Sequence, residues 1–154
     1  MTAELKGGRC VSLRRAQATD LPAILDLLRQ ADLPADGVPQ ALPDFLVAES
    51  EDQIVGVAGL EIYEESALLR SVAVKQSWRG SGVGGVLVER ALSTTRERGI
   101  KDVFLLTTTA EHYFPRFGFT CVSRDLVAGD VQASAEFQGA CPASAVVMRK
   151  SLAG

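Results

Sequence analysis

Histidine and tryptophan occur once each, and cysteine three times, in a chain of 154 residues. Cys10, Cys121 and Cys141 lie far apart, are odd in number and form no Cys-x-x-Cys pair, so neither a disulfide framework nor a zinc site is indicated. No apolar run approaches the ~18 residues that cross a bilayer, which argues against a membrane partner. Positive charge is also scarce: 16 basic residues face 19 acidic ones, a formal net charge of -3. The sequence-independent attraction to phosphate backbones is therefore missing, and nucleic acid is not expected as a partner. Met1 to Arg9 carries no apolar export pattern, so a cytoplasmic location is expected. What is present is an ordinary globular composition with 47% hydrophobic residues. At this length residues 1–154 are expected to form one domain, burying roughly 70% of the unfolded surface. A homodimer is left open.

The hydrophobic pattern alternates between strand and helix periods. Val11 to Arg14 reads as a strand, and Thr19 or Asp20 then caps a helix with Leu21, Ile24, Leu25 and Leu28 on one face. Pro34, Pro39, Pro43 and Gly37 make 33–43 a loop with at most a short helical turn. Three runs, Phe45 to Ala48, Ile54 to Ile62 and Ala67 to Val74, suggest an antiparallel meander. A helix over Val83 to Arg98 stops at Gly99, a natural C′ residue. Then follow a strand over Val103 to Leu106, a short helix over Thr109 to Phe117 closed by Gly118, and a strand over Phe119 to Val122. The tail predicts a helix over Val127 to Phe137 and a last strand over Ala143 to Met148. The class is mixed α/β, with a largely antiparallel first half.

Between Val74 and the long helix lies a turn with Arg79 and glycines at 80, 82, 84 and 85. A glycine-rich turn between strand and helix aims backbone N–H groups at the positive end of the helix dipole, where no Cβ keeps a phosphate away. Gly80, Gly82 and Gly85 match the G-x-G-x-x-G spacing of dinucleotide sites, but that reading needs an acidic residue ~20 positions on. Leu105, Leu106 and Thr107 stand there instead. The G-x-x-x-x-G-K-[ST] phosphate loop is absent, since no lysine follows Gly84 or Gly85.

The remaining spacing, Arg79-Gly80-Ser81-Gly82-Val83-Gly84, reads R-x-x-G-x-G, and here the sequence resembles the GNAT family of N-acetyltransferases. The resemblance covers nearly the whole chain and implies the GNAT fold, a mixed and largely antiparallel central sheet flanked by helices. It implies acetyl-CoA as co-substrate, with no metal. Carried over from the motif, the cofactor residues are Val72 and Val74 for pantetheine and Arg79, Gly80, Ser81, Gly82, Val83 and Gly84 for pyrophosphate. Leu105-Leu106-Thr107-Thr108-Thr109-Ala110 and the tail Cys141 to Met148 look like the small arsenic-resistance N-acetyltransferases and, more distantly, short N-acetylglutamate synthases. Those relatives imply a small amine or amino-acid-like acceptor, with Thr107 and Thr108 where acceptor and cofactor meet.

Acetyl transfer requires a neutral amine, a polarised thioester carbonyl and a proton for the departing thiolate. In the family pattern A-x-x-F-Y-x-x-x-G-F the proton-donating tyrosine falls on Phe114, and Tyr113 precedes it. One helical step turns about 100°, so Tyr113 reaches the same place only where Pro115 makes the helix irregular. Glu61, Glu64 and Glu65 are candidate bases, of which Glu61 and Glu65 are favoured; His112 reads as a solvent-facing residue. Arg70 interrupts an apolar strand, where a cation must be paired or line a cleft. It either grips an acidic acceptor through its two-pronged guanidinium or makes an internal salt bridge to Glu61 or Glu65. Two functions compete: an N-acetyltransferase acting on a small amine, and an acyl-CoA-binding sensor of the same fold without turnover, suggested by Phe114.

Overall fold

The computed structural model describes residues 2–140 and 144–152, apart from the side chains of Lys6 and Ala140. In chain order the main elements are β1 (Thr2–Glu4), β2 (Cys10–Arg15), α1 (Leu21–Gln30), α2 (Val38–Ala41), β3 (Leu46–Ser50), β4 (Gln53–Ile62), β5 (Ser66–Val74), α3 (Val83–Glu97), β6 (Asp102–Thr107), β7 (Thr120–Cys121), α4 (Gly129–Gln132) and β8 (Val146–Ser151). The strands form one sheet in the order β1-β2-β3-β4-β5-β6-β8-β7. Every neighbouring pair is antiparallel except β5 and β6. That parallel step needs a crossover, which α3 supplies.

Because successive strand residues point to opposite faces, β5 splits its side chains between two layers. Leu69, Val72 and Val74 join the cluster under α3, with Val83, Leu87 and Leu105. Leu68 and Ala73 point the other way: Ala73 meets Ile24, Leu28 and Phe45 under α1, and Leu68 meets Phe104, Val131 and Val147 under α4. The two layers press tightly on β4. A Cβ on Gly59 would stand 2.3 Å from Phe45 Cζ, and one on Gly56 would stand 2.7 Å from Val83 Cγ1.

The meander strands and α3 lie within a few residues of the sequence reading, and Gly99 follows α3 with φ +76. Elsewhere the structure differs. β1 has three residues and no apolar alternation to announce it; it forms because β2 offers an open edge. In α1 the buried stripe is Ile24, Leu27 and Leu28, with Leu21 and Leu25 only packed against it. Asp20 precedes the helix without capping it, since its carboxylate accepts from Arg14 and from the Gln17 N–H. The helix over Val127 to Phe137 does not form as one piece. After a 3-10 turn over Arg124–Leu126, α4 and an irregular turn over Glu136–Ala140 take its place, and the Ser134 hydroxyl accepts from the Glu136 N–H. Serine competes in this way with helical backbone bonds. The last strand begins at Val146 rather than Ala143, which lies outside the described residues, and it runs on through Arg149 and Lys150 because β6 pairs along its full length.

Candidate active site

The cleft begins where the sheet stops closing. Register pairs between β5 and β6 run from Ser66↔Asp102 to Leu68↔Phe104 and end there. β6 continues against β8 up to Thr107↔Val146, while β5 stays on β4. Against β4, Gly59 pairs Arg70 and Val57 pairs Ala73, so Ser71 and Val72 together oppose Ala58 alone. This is a β-bulge with Ser71 at φ +59, a left-handed backbone that costs energy for a residue with a side chain. A bulge bends its strand and re-aims its backbone groups. The strands part into a cleft of about 1150 Å³, walled by 69–74 of β5 and 105–107 of β6.

At its β5 end the cleft meets the glycine turn. Gly80 and Gly82 have φ +81 and +100, conformations that glycine adopts without strain, and Gly82 leads directly into α3. Added Cβ atoms at Gly80 would meet nothing within 4 Å, so the backbone there is open to a ligand. Ser81 is buried and its hydroxyl donates to the Trp78 carbonyl, which fixes the turn. Arg79 is exposed on the cleft wall with Nε directed to the Val74 carbonyl at 3.4 Å. The α3 N-terminus thus directs its free N–H groups at the cleft, an arrangement suited to an anionic phosphate group.

The predicted helix over Thr109 to Phe117 is replaced by turns and a 3-10 helix over Phe114–Phe117, with Pro115 in its first turn and Gly118 at φ +94 closing it. The Thr107 hydroxyl accepts from the Ala110 N–H at 2.9 Å and sets this course. That irregularity aims Tyr113 into the cleft and buries Phe114. The Tyr113 hydroxyl lies 3.3 Å from where a Cβ on Gly84 would stand, so Gly84 is needed for the ring to approach the turn. Burial pushes the Tyr113 phenol above its ordinary value, against the lowering influence of Arg116. It keeps its proton at neutral pH.

The other face of β5 carries Arg70, whose side chain is fully buried. Nη1 donates to Glu61 Oε2 at 2.8 Å, Nε to Ser71 Oγ at 3.0 Å and Nη2 to the Pro34 carbonyl at 3.2 Å, and Glu136 Oε2 stands 3.5 Å from Nε. Of the two salt-bridge partners weighed from sequence, Glu61 is the one present. Its second oxygen accepts from the Tyr63 hydroxyl, whose own titration burial and this carboxylate push upward. Glu61 is thus engaged on both oxygens. Glu65 stands just ahead of β5, at the end remote from the cleft, and is ion-paired with Lys101 at 3.1 Å. Glu64 borders a separate shallow depression, and His112 is exposed.

The structure therefore brings Arg70, Val72, Val74, Arg79, Gly80, Gly82, Val83, Gly84, Thr107, Thr108 and Tyr113 to one cleft, with Ser81 just behind the turn and Glu61 behind Arg70. Asp32, Asp36, Trp78, Arg116 and Glu136 share the wall and carried no sequence signal. Their places depend on contacts between distant segments. Among the described residues no helix is long and apolar enough to cross a membrane, and no group of three or more His, Cys, Asp or Glu residues is placed to hold a metal ion.

The profile of the acetyltransferase (GNAT) domain matches residues 42–121, and the chain belongs to that family. It is 28% identical over 124 residues to the amino-acid acetyltransferase of Salmonella typhi, covering 75% of this chain and 28% of that protein. It is 31% identical over 91 residues to an uncharacterized N-acetyltransferase of Chlorobaculum tepidum, covering 58% of each. The chain thus spans under a third of the Salmonella relative's length. Among solved structures, N-acetylglutamate synthase from Neisseria gonorrhoeae complexed with coenzyme A and N-acetyl-glutamate superimposes with a TM-score of 0.81 at 22% identity, covering 94% of this chain and 35% of that one. Rv2747 from Mycobacterium tuberculosis, in complex with CoA, has a TM-score of 0.78 at 26% identity over 92% of this chain and 99% of that one.

Proposed function

We propose that the chain transfers an acetyl group from acetyl-CoA to the amine of a small amino-acid-like acceptor by direct attack on the thioester. The observation that carries this reading is the parting of β5 from β6 beside a glycine turn, with the Tyr113 hydroxyl 3.3 Å from the Gly84 Cβ position. The open edge of β5 around Val72 and Val74 offers backbone groups to an extended pantetheine arm, as an added strand would use them. The Gly80, Ser81, Gly82, Val83 and Gly84 backbone, with Arg79, would take the pyrophosphate.

The acceptor enters from the opposite face, where Arg70 lies, and reaches the thioester between β5 and β6 near Thr107 and Thr108. Its neutral nitrogen attacks the carbonyl carbon, the C–S bond breaks, the nitrogen loses a proton to water, and the thiolate takes one from Tyr113. With Glu61 engaged on both oxygens and Glu65 remote, neither carboxylate is assigned a base role. The amino-acid acetyltransferase relatives support an amino-acid acceptor.

The test is release of free thiol from acetyl-CoA with a panel of amines headed by acidic amino acids. Turnover with amino acids is expected. Tight cofactor binding with no turnover on any amine would make the protein a sensor, and absence of cofactor binding would overturn the reading altogether.

A further inference from the structure

We infer that Arg116 is a further cofactor-binding residue and that it reads the 3′-phosphate of coenzyme A, an inference that rests on the acetyl-CoA reading above. Coenzyme A carries, besides its pyrophosphate, a phosphate monoester on the ribose. The glycine turn and Arg79 are committed to the pyrophosphate. A monoester holding close to two negative charges needs donors of its own, and a guanidinium with two free amino groups suits it.

Arg116 has that form. It lies on the cleft wall and is exposed. Its Nε donates to the Tyr113 carbonyl at 2.9 Å, and its guanidinium stacks over the Tyr113 ring at 4.3 Å from the centroid. Both terminal amino groups are left without a protein partner, and no carboxylate pairs with it among the described residues. Elsewhere Arg14, Arg29, Arg70, Arg98 and Arg149 each pair with a carboxylate. An arginine held in place by a carbonyl and a ring, with its fork turned free, is preorganised for an anion from outside.

Its side of the sheet decides which anion. Tyr113 and Phe117 pack into the cluster under α3, and Phe117 Cζ lies 4.0 Å from the Gly85 Cβ position. Arg116 therefore stands beside the α3 N-terminus, where the pyrophosphate is placed, and across the sheet from Arg70 and the acceptor. Among the described residues Arg9 has no carboxylate partner either, but it covers the Trp78 ring at 3.5 Å and donates to the Ser77 carbonyl without reaching the cleft wall. It braces the turn from outside.

The experiment is calorimetric titration of the full chain with coenzyme A and with 3′-dephospho-coenzyme A. The parent, Arg116→Ala, Arg116→Lys and Arg79→Ala are compared. We expect the parent to prefer coenzyme A, and Arg116→Ala to lose on the order of tenfold or more in affinity for coenzyme A alone, as for a charge-assisted contact. Its affinity for the dephospho form should stay within about twofold, so the preference collapses, with Arg116→Lys between the two. Arg79→Ala should weaken both ligands alike. A parent that binds both forms equally, or an Arg116→Ala variant that weakens both alike or neither, overturns the assignment and leaves the acetyl-CoA reading standing. A parent that binds neither form overturns both.

Discussion

The Arg70 guanidinium donates to Glu61 Oε2 at 2.8 Å from the neighbouring strand, beneath the loop that carries Gly37. A Cβ on Gly37 would come within 3.2 Å of Arg70 Nη1, so the loop closes over the pair with no room for a side chain. The ion pair joins β4, the β5 bulge, the 33–37 loop and the tail at Glu136.

Arg70→Ala would take the buried guanidinium away from Glu61 and from the buried Glu136. Breaking a buried pair on one side costs about 3–5 kcal/mol, which for a domain of this size lowers Tm by roughly 10 °C. Arg70→Lys keeps the charge and loses the fork. If Arg70 also grips the acceptor's carboxylate, the kcat/KM ratio of acidic over neutral amines falls in Arg70→Lys. Melting curves and the selectivity ratio, measured together, separate the two roles, and a parental ratio removes Arg70 from acceptor binding.

Tyr113→Phe keeps the ring against Phe114 and Phe117 and removes the proposed proton donor. We expect kcat to fall on the order of 10²-fold with cofactor affinity nearly unchanged. A kcat within about threefold of the parent assigns the proton to water.

The pH profile follows from the same residue. The proposed acid must be protonated, and burial raises its pKa, so loss of activity through Tyr113 is expected only at a pH above the ordinary tyrosine range. We assign the rising limb to the acceptor amine, which must be neutral to attack, because Glu61 is engaged on both oxygens and Glu65 is ion-paired away from the cleft. Acceptors with different amine pKa values should therefore shift the limb. A limb fixed at one pH for all acceptors would reveal a base on the enzyme.

Gly84→Asp places bulk against the Tyr113 hydroxyl and a negative charge at the α3 N-terminus, where the pyrophosphate is proposed to sit. Gly82→Asp adds a side chain at φ +100. Both should abolish cofactor binding by calorimetry, and retained binding in both would remove the turn from the site.

Gly59→Ala tests the packing rather than the chemistry. Its Cβ would collide with the fully buried Phe45 ring at 2.3 Å. Overpacking of this kind costs about 1–3 kcal/mol, read as an earlier denaturation midpoint. An unchanged midpoint would mean that the Phe45 ring moves freely.

The meander, α3 and the glycine turn were legible because local chemistry sets them: apolar periodicity, and glycines where backbone must turn or lie bare. Tyr113 was legible only as an alternative, since its direction depends on how Pro115 and the Thr107 hydroxyl break the expected helix. The Arg70–Glu61 pair could be proposed from one charge in an apolar strand, but Glu136 could not be, because no pattern in the tail shows that it folds back onto β5. Glu65 looked equal to Glu61 in sequence. Strand direction separates them, carrying one to the Arg70 side of the bulge and leaving the other at the far end of the sheet.

Only three register pairs tie β5 to β6, so the sheet consists of two leaves, β1 to β5 and β6 to β8. Amide exchange should distinguish them: the antiparallel ladders protect their N–H groups strongly, while the edge of β5 beyond Leu68 exchanges early. A cofactor arm bonded along that edge would act as a splint across the seam. Local opening of either leaf would then carry the free energy of binding as well as its own, and two unfolding units would merge into one.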